Sequence, residues 1–235
     1  MLQDSPNWLH FSNFGRNMPA DLIHIFRIAT EACYPGIEKD YKRVLSANEL
    51  NRASRFLHIR DRINYLVRAY YVRQILSCFV PEAPEALQFS SMGNRKPALE
   101  NIHFNVSHSQ GYVVIVVNSS PVGVDLEYID PRFDFDPVLE QCFNDQEQAF
   151  VNEGNRRLNF YSLWTRKEAV LKATGEGLTN DLSLINCLGD SFRRHDHSYR
   201  LNSFLLDEQY LQSLAALDGP ARYRHWDVSD LTTLP

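Results

Sequence analysis

Six residues, Val122-Gly-Val-Asp-Leu-Glu127, alternate without a break, and that period of two commits them to a strand. Val122, Val124 and Leu126 point one way; Gly123, Asp125 and Glu127 point the other. Ile102 to Val106 reads as a short strand, Tyr112 to Val117 as a very apolar one, and Asn118-Ser-Ser-Pro121 as the turn between it and the alternating segment. Asp21 to Ile28 has the apolar density of a short buried strand, with helix as the alternative. Ser46-Ala-Asn-Glu49 is a capping box. It opens one long helix over residues 48–76, with Phe56, Leu57, Ile63, Leu66, Val67, Tyr70, Tyr71, Ile75 and Leu76 on its apolar side. Pro81 and Pro84 end that pattern. Ser90 to Pro97 is a loop. Gln146 to Glu153 and Asn159 to Thr174 read as helices, the second stopped by Gly175 and Gly177. Residues 1–20 are polar and irregular. The last part of the chain holds apolar runs, Leu201 to Leu206 and Leu211 to Leu217, and no motif. Helices and strands mix without strict alternation, so the expected class is α+β rather than a doubly wound sheet.

The chain has 235 residues, enough for a real core in one large domain or two small ones. Its formal net charge of -5 speaks against a general nucleic-acid binder. Cys33, Cys78, Cys142 and Cys187 are scattered and form no C-x-x-C pair, which reads as free thiols in a reducing compartment. The N-terminus lacks a signal-peptide pattern, and no stretch approaches the roughly 18 apolar residues of a membrane span. A cytoplasmic protein with no membrane partner is expected.

Asp125 and Glu127 sit two residues apart on one strand face, with room left by Gly123. Carboxylate oxygens in this arrangement suit a hard cation such as magnesium, which also takes water and phosphate oxygens. The competing account is an amphipathic strand whose acidic face is solvated. In the helix over 159–174, Phe160, Leu163, Trp164 and Leu171 share a stripe, Lys167 falls in its middle, and Glu168 and Lys172 lie along one edge. Lys167 either snorkels or faces phosphate oxygens. Glu168 and Lys172 form either a surface pair or part of a metal and phosphate site. His108 leaves a strand for a loop, with no second His at zinc-hydrolase spacing. Arg52-Ala-Ser-Arg55 and Arg95-Lys96-Pro97 add local positive charge, either solvated or holding a polyphosphate. Neither standard glycine-rich phosphate cradle is present.

Taken in order, Arg-Lys-Pro97, Phe-Asn-Val-Ser-His108, Val-Gly-Val-Asp-Leu-Glu127, Trp-Thr-Arg-Lys-Glu-Ala-Val-Leu-Lys172 and Ala-Thr-Gly-Glu-Gly-Leu178 resemble the 4′-phosphopantetheinyl transferases of the single-chain surfactin-synthetase type. The resemblance covers about residues 46–178. It implies two similar α/β halves, residues 1–120 and 121–235, related by a pseudo-twofold, with the active site and coenzyme A at their interface. It implies Mg2+ ligation by Asp125, Glu127 and Glu168, and phosphate contacts from Lys172 and His108. Coenzyme A contacts fall near Lys96, Pro97, Asn105 and Ser107. Arg52 matches a position that meets the 3′-phosphate in relatives, whereas Glu49 and Tyr65 stand where some relatives carry Lys and Thr. The implied reaction moves phosphopantetheine from coenzyme A to a serine of an apo acyl or peptidyl carrier protein, releasing 3′,5′-ADP. Glu168 is the implied base, with Lys172 and His108 on the phosphates, in a monomer. Two other readings stay open: a metal-dependent nucleotide pyrophosphate hydrolase, and a catalytically silent module that binds coenzyme A.

Overall fold

The computed structural model describes residues 2–3, 6–11, 22–92, 96–177, 182–194, 196–217 and 222–228. Most of the irregular N-terminal stretch, together with Asp21, Arg95 and Leu178, lies outside the described residues. The chain begins with β1 (Trp8–His10) and β2 (Leu22–Ala29). The helices α1 (Thr30–Ile37), α2 (Tyr41–Val44), α3 (Ala47–Ser54) and α4 (Ile59–Leu76) follow. Next come β3 (Ser90–Met92), β4 (Lys96–Ala98), β5 (His103–Ser109), β6 (Tyr112–Asn118) and β7 (Val122–Tyr128). After α5 (Asp136–Cys142), α6 (Asp145–Val151) and α7 (Arg156–Thr174), the chain runs through β8 (Ser191–Arg194), β9 (His197–Asp207), β10 (Tyr210–Leu217) and β11 (Arg222–Asp227).

The strands form two main sheets, ordered β1-β11-β2-β6-β5 and β7-β10-β9-β8, and a small antiparallel ribbon of β3 and β4. The ribbon occupies the segment expected to be a loop. The two sheets lie face to face, each with a long helix on its outer side. Ile23, Ile25, Val114, Val116, Val122, Val124, Leu126, Phe204 and Leu214 fill the layer between the sheets. Phe26, Ile28, Val113, Ile115 and Val117 face the other way and pack with Leu66, Tyr70 and Ile75. β6 is thus covered on both faces, which is why Tyr112 to Val117 reads as an unbroken apolar run rather than an alternating one. The third cluster joins Leu163, Val170 and Leu171 of α7 to Leu201, Leu211 and Ala215 of the second sheet. The architecture is α+β, as expected.

The capping box at Ser46 forms: its hydroxyl accepts from the Glu49 N–H at 3.3 Å, and the Glu49 carboxylate accepts from the Ser46 N–H at 2.8 Å. The single long helix does not form. It breaks into α3 and α4 at Arg55–His58, where His58 is extended at φ -94 and ψ 133. Leu57 is 96% exposed, against its expected core position, while Phe56 turns in against Tyr65. Arg73 explains the fold-back. Its guanidinium is buried, and its Nη2 lies 2.9 Å from Glu49 Oε2. A continuous helix would hold those two residues about 36 Å apart at 1.5 Å per residue. α7 ends where its glycine predicts: Gly175 sits at φ 76 and its N–H bonds the Leu171 carbonyl. β11 comes from the far end of the sequence, yet it lies between β1 and β2, parallel to both.

Candidate active site

β7 is an edge strand of the second sheet and β5 an edge strand of the first, and they lie side by side. Side chains of β5 take the place of a main-chain ladder between them. The N–H groups of Val124, Leu126 and Tyr128 donate to Asn105 Oδ1, Ser107 Oγ and Ser109 Oγ at 3.0, 3.2 and 3.0 Å. Every second residue of β7 is therefore capped by every second residue of β5. This contact fixes the two sheets against each other and puts the acidic face of β7 at the junction.

Across that face runs α7. Gly123 is the crossing point: a Cβ there would stand 2.1 Å from the Ala169 carbonyl oxygen and 2.4 Å from the Ala173 nitrogen. The space beside the carboxylates is filled by helix backbone rather than left open. Buried polar contacts hold α7 in place. Thr165 Oγ1 meets Ser213 Oγ at 2.7 Å. Arg166 Nε donates to Ser203 Oγ at 2.8 Å, and its Nη1 donates to the Cys187 and Gly189 carbonyls at 3.0 Å each. Lys167 is fully buried, 2.7 Å from the equally buried Glu147, and donates to the Leu182 and Ile185 carbonyls. It neither snorkels nor faces a phosphate. A buried ammonium requires such a complete set of acceptors. Thr165, Arg166 and Lys167 thus anchor the helix, and the next residues on the adjacent face, Glu168 and Lys172, are presented to β7.

Lys172 pairs with Asp125 rather than with Glu168. Its Nζ lies 2.6 Å from Asp125 Oδ1 and 3.1 Å from Ser107 Oγ, and Ser107 donates to the same Asp125 oxygen at 3.0 Å. Asp125 Oδ2 is buried and has no hydrogen-bond partner among the described residues. Burial and the neighbouring Asp125 charge push the Glu127 carboxyl up to about 7, with Ser109 and Lys172 opposing them. The Glu168 carboxyl is also raised, by burial first and then by Asp125, against the pull of Lys172. Three acids thus share one negative field with the Lys172 ammonium inside it. No group of three His, Cys, Asp or Glu among the described residues is closed tightly enough to hold a metal ion.

His108 follows Ser107 on β5 and stands on the wall of a cavity of about 560 Å³, with Arg52, Tyr65 and Arg68. Desolvation at this wall, reinforced by the Arg68 and Lys172 cations, lowers the imidazole to about 4, so the ring is neutral near pH 7. Arg52 and Arg68 both lie over the Tyr65 ring, their guanidinium carbons 5.4 and 5.2 Å from its centre. Burial, and then Arg52, press the Arg68 pKa down while Tyr65 opposes them. Neither arginine has a carboxylate partner among the described residues. Pro97 lies apart, on a cleft of about 470 Å³ beside Phe104, Thr174 and Gly175. Lys96 belongs to β4, and its side chain lies outside the described parts. The structure therefore brings Asp125, Glu127, Glu168, Lys172, Asn105, Ser107 and His108 together, with Arg52 across the cavity. Arg68 and Ser109 were not singled out from the sequence. Arg68 had a weak signal, a cation within the apolar run Tyr65 to Tyr71. Ser109 had a stronger one, the third polar residue at period two after Asn105 and Ser107.

Residues 38–120 match the family model described as 4'-phosphopantetheinyl transferase, N-terminal, and residues 121–226 match that of the 4'-phosphopantetheinyl transferase superfamily. The chain is 34% identical over 200 residues to 4'-phosphopantetheinyl transferase psf-1 of Bacillus pumilus, covering 80% of this chain and 84% of that protein. The chain belongs to the 4'-phosphopantetheinyl transferase superfamily. Two further relatives align over shorter stretches. 4'-phosphopantetheinyl transferase HetI of Nostoc sp. is 30% identical over 68% of this chain and 71% of its own length. 4'-phosphopantetheinyl transferase Sfp of Bacillus subtilis is 27% identical over 57% and 62%. The two superfamily matches meet between residues 120 and 121, in the turn between β6 and β7, where the chain passes from the first sheet to the second.

Proposed function

We propose that the protein transfers the 4′-phosphopantetheine group of coenzyme A to a serine hydroxyl of an apo acyl or peptidyl carrier protein, releasing 3′,5′-ADP. The observation that carries this reading is one junction where Asp125, Glu127, Glu168 and Lys172 converge beside a cavity walled by Arg52, Arg68 and His108. The arginines suit phosphate oxygens, to which guanidinium donates in a planar fork. Neutral His108 adds a hydrogen bond without another charge.

In the reaction the carrier serine oxygen bonds to the phosphorus bearing the pantetheine arm. The bridging P–O bond breaks, and its electron pair leaves on 3′,5′-ADP. The serine proton passes to the Glu168 carboxylate, whose raised affinity for protons suits a base working near neutrality. Lys172 Nζ stands where it can meet the charge that develops on the pyrophosphate oxygens. No covalent enzyme intermediate is required.

Mg2+ is part of this proposal. Asp125, Glu127 and Glu168 are the residues that would hold it. The fit is supported by the unpartnered Asp125 Oδ2, by an all-oxygen donor set and by the mutual repulsion of the acids. When bound, Mg2+ supplies Lewis-acid neutralisation of the pyrophosphate. The reading extends to a division of the chain at 120/121, a monomer and a cytoplasmic setting; the last is supported by four cysteines, none of which forms a disulfide among the described residues. No described helix is long and apolar enough to cross a membrane.

The test is to weigh an apo carrier protein after incubation with the protein, coenzyme A and magnesium. A gain of one phosphopantetheinyl group is expected, and Asp125→Ala and Glu168→Ala each abolish it. Wild-type rates from both variants would overturn the site. Release of 3′,5′-ADP without any carrier would favour the hydrolase reading instead.

A further inference from the structure

We infer that Ser109 is a positioning residue: one hydroxyl fastens β7 to β5 and, with its own proton, aims the Glu127 carboxylate into the site. The inference rests on the transferase reading and extends it to a residue outside the set carried over from the family.

The geometry is a repeated unit. A main-chain N–H can only donate, so Ser107 Oγ and Ser109 Oγ act as acceptors from Leu126 and Tyr128. That leaves each hydroxyl proton free to donate, and both find a carboxylate one residue earlier on β7. Ser107 donates to Asp125 Oδ1 at 3.0 Å, and Ser109 donates to Glu127 Oε2 at 3.2 Å. Each serine therefore spans the acid of one β7 residue and the backbone of the next. The link that holds the two sheets together also orients the acids. The third rung, Asn105 to Val124, has no acid to orient, because its neighbour on β7 is Gly123.

The two serines are not equivalent. Asp125 has a second anchor in Lys172 at 2.6 Å. Among the described residues, Ser109 is the hydrogen-bond donor that the Glu127 carboxylate has. Glu127 has a flexible side chain with one more rotatable bond than aspartate, so losing that donor frees it to swing. Ser109 also stands on the dividing wall between two spaces. One is the arginine-lined cavity; the other is a cleft of about 340 Å³ lined by Phe133, Val138 and Trp164. Glu127 faces the second space, and its hydroxyl anchor faces both.

The test separates aiming from mere fastening. Ser109→Ala should lower kcat for carrier modification at least about tenfold, the loss expected for one hydrogen bond to a charged group. KM for coenzyme A should stay within about twofold, since no phosphate contact is removed. Calorimetry should show magnesium binding weakened by a similar factor. Ser109→Thr keeps the hydroxyl and should restore both. Val151→Ala, a buried position at the end of α6 that contributes no polar group to the site, is the control: it lowers Tm and leaves kcat unchanged. If Ser109→Ala does not fold, Ser109→Cys, with a weaker donor, should show the same losses to a smaller degree. A Ser109→Ala protein with lowered Tm but wild-type kcat and magnesium affinity would reduce the serine to a fastener and overturn the inference. A wild-type chain that modifies no carrier would sink the transferase reading alone, and the magnesium titration would still decide for Ser109. A wild-type chain that binds no magnesium would overturn both.

Discussion

Arg68 and Arg52 bracket one tyrosine ring, and neither has an acid to neutralise it among the described residues. Half-burying a guanidinium without a counter-ion costs stability, and the arrangement makes sense when an anion completes it. On our reading that anion is a phosphate of coenzyme A. Arg68→Met should therefore raise KM for coenzyme A about tenfold and leave kcat nearly unchanged, as steady-state kinetics would reveal. An unaltered KM would remove Arg68 from the binding site. Glu49 shows how context sets a residue's task. It is occupied in capping α3 and pairing with buried Arg73. Lys167 makes the same point. From the helix pattern alone it is one of two lysines that could face a phosphate, and the family resemblance gives that contact to Lys172 only. Only its distance from Glu147 separates an anchor from a reactive group. That pairing joins residues on two helices, which no spacing pattern within either one can reveal.

At the scale of the element, the strand carrying the acids was legible because its period of two is unbroken. Its inward side chains lie in the layer between the sheets, and its acids face α7. What the pattern did not contain was the object on the acidic face. Gly123 reads as spare room until the helix backbone is seen to fill it. Gly123→Ala should push α7 off β7 and cost about 3 kcal/mol or more in chemical denaturation, because backbone rather than a flexible side chain blocks the new methyl. It should also abolish transfer, since Glu168 and Lys172 move with the helix. A variant of near-native stability and activity would refute this account of the crossing. The break between α3 and α4 was illegible for a related reason. No glycine or proline marks residues 55–58, and tertiary pairing of Glu49 with Arg73 overrides a continuous helical pattern.

The whole molecule was half legible. The motifs in the middle of the chain announce its chemistry, while the strands after α7 carry apolar runs that fit several packings. β11 could not have been placed from its own residues. Trp226 is buried against Phe11 and Phe26, and Arg27 Nη2 meets Asp227 at 2.6 Å, with each pairing spanning nearly the whole sequence. During synthesis, then, the half that is translated first is the one that finishes last. Until residues 222–227 leave the ribosome, β2 offers an unpaired apolar edge, the kind of edge that recruits stray strands. A chain stopped at residue 217 should be cut rapidly by protease within residues 22–117 and should aggregate on standing. Protection equal to that of the longer chain would mean the gap closes without β11. The molecule is built like an arch whose keystone is quarried well after the stones it locks, and a cell making it must shelter the open span until that piece arrives.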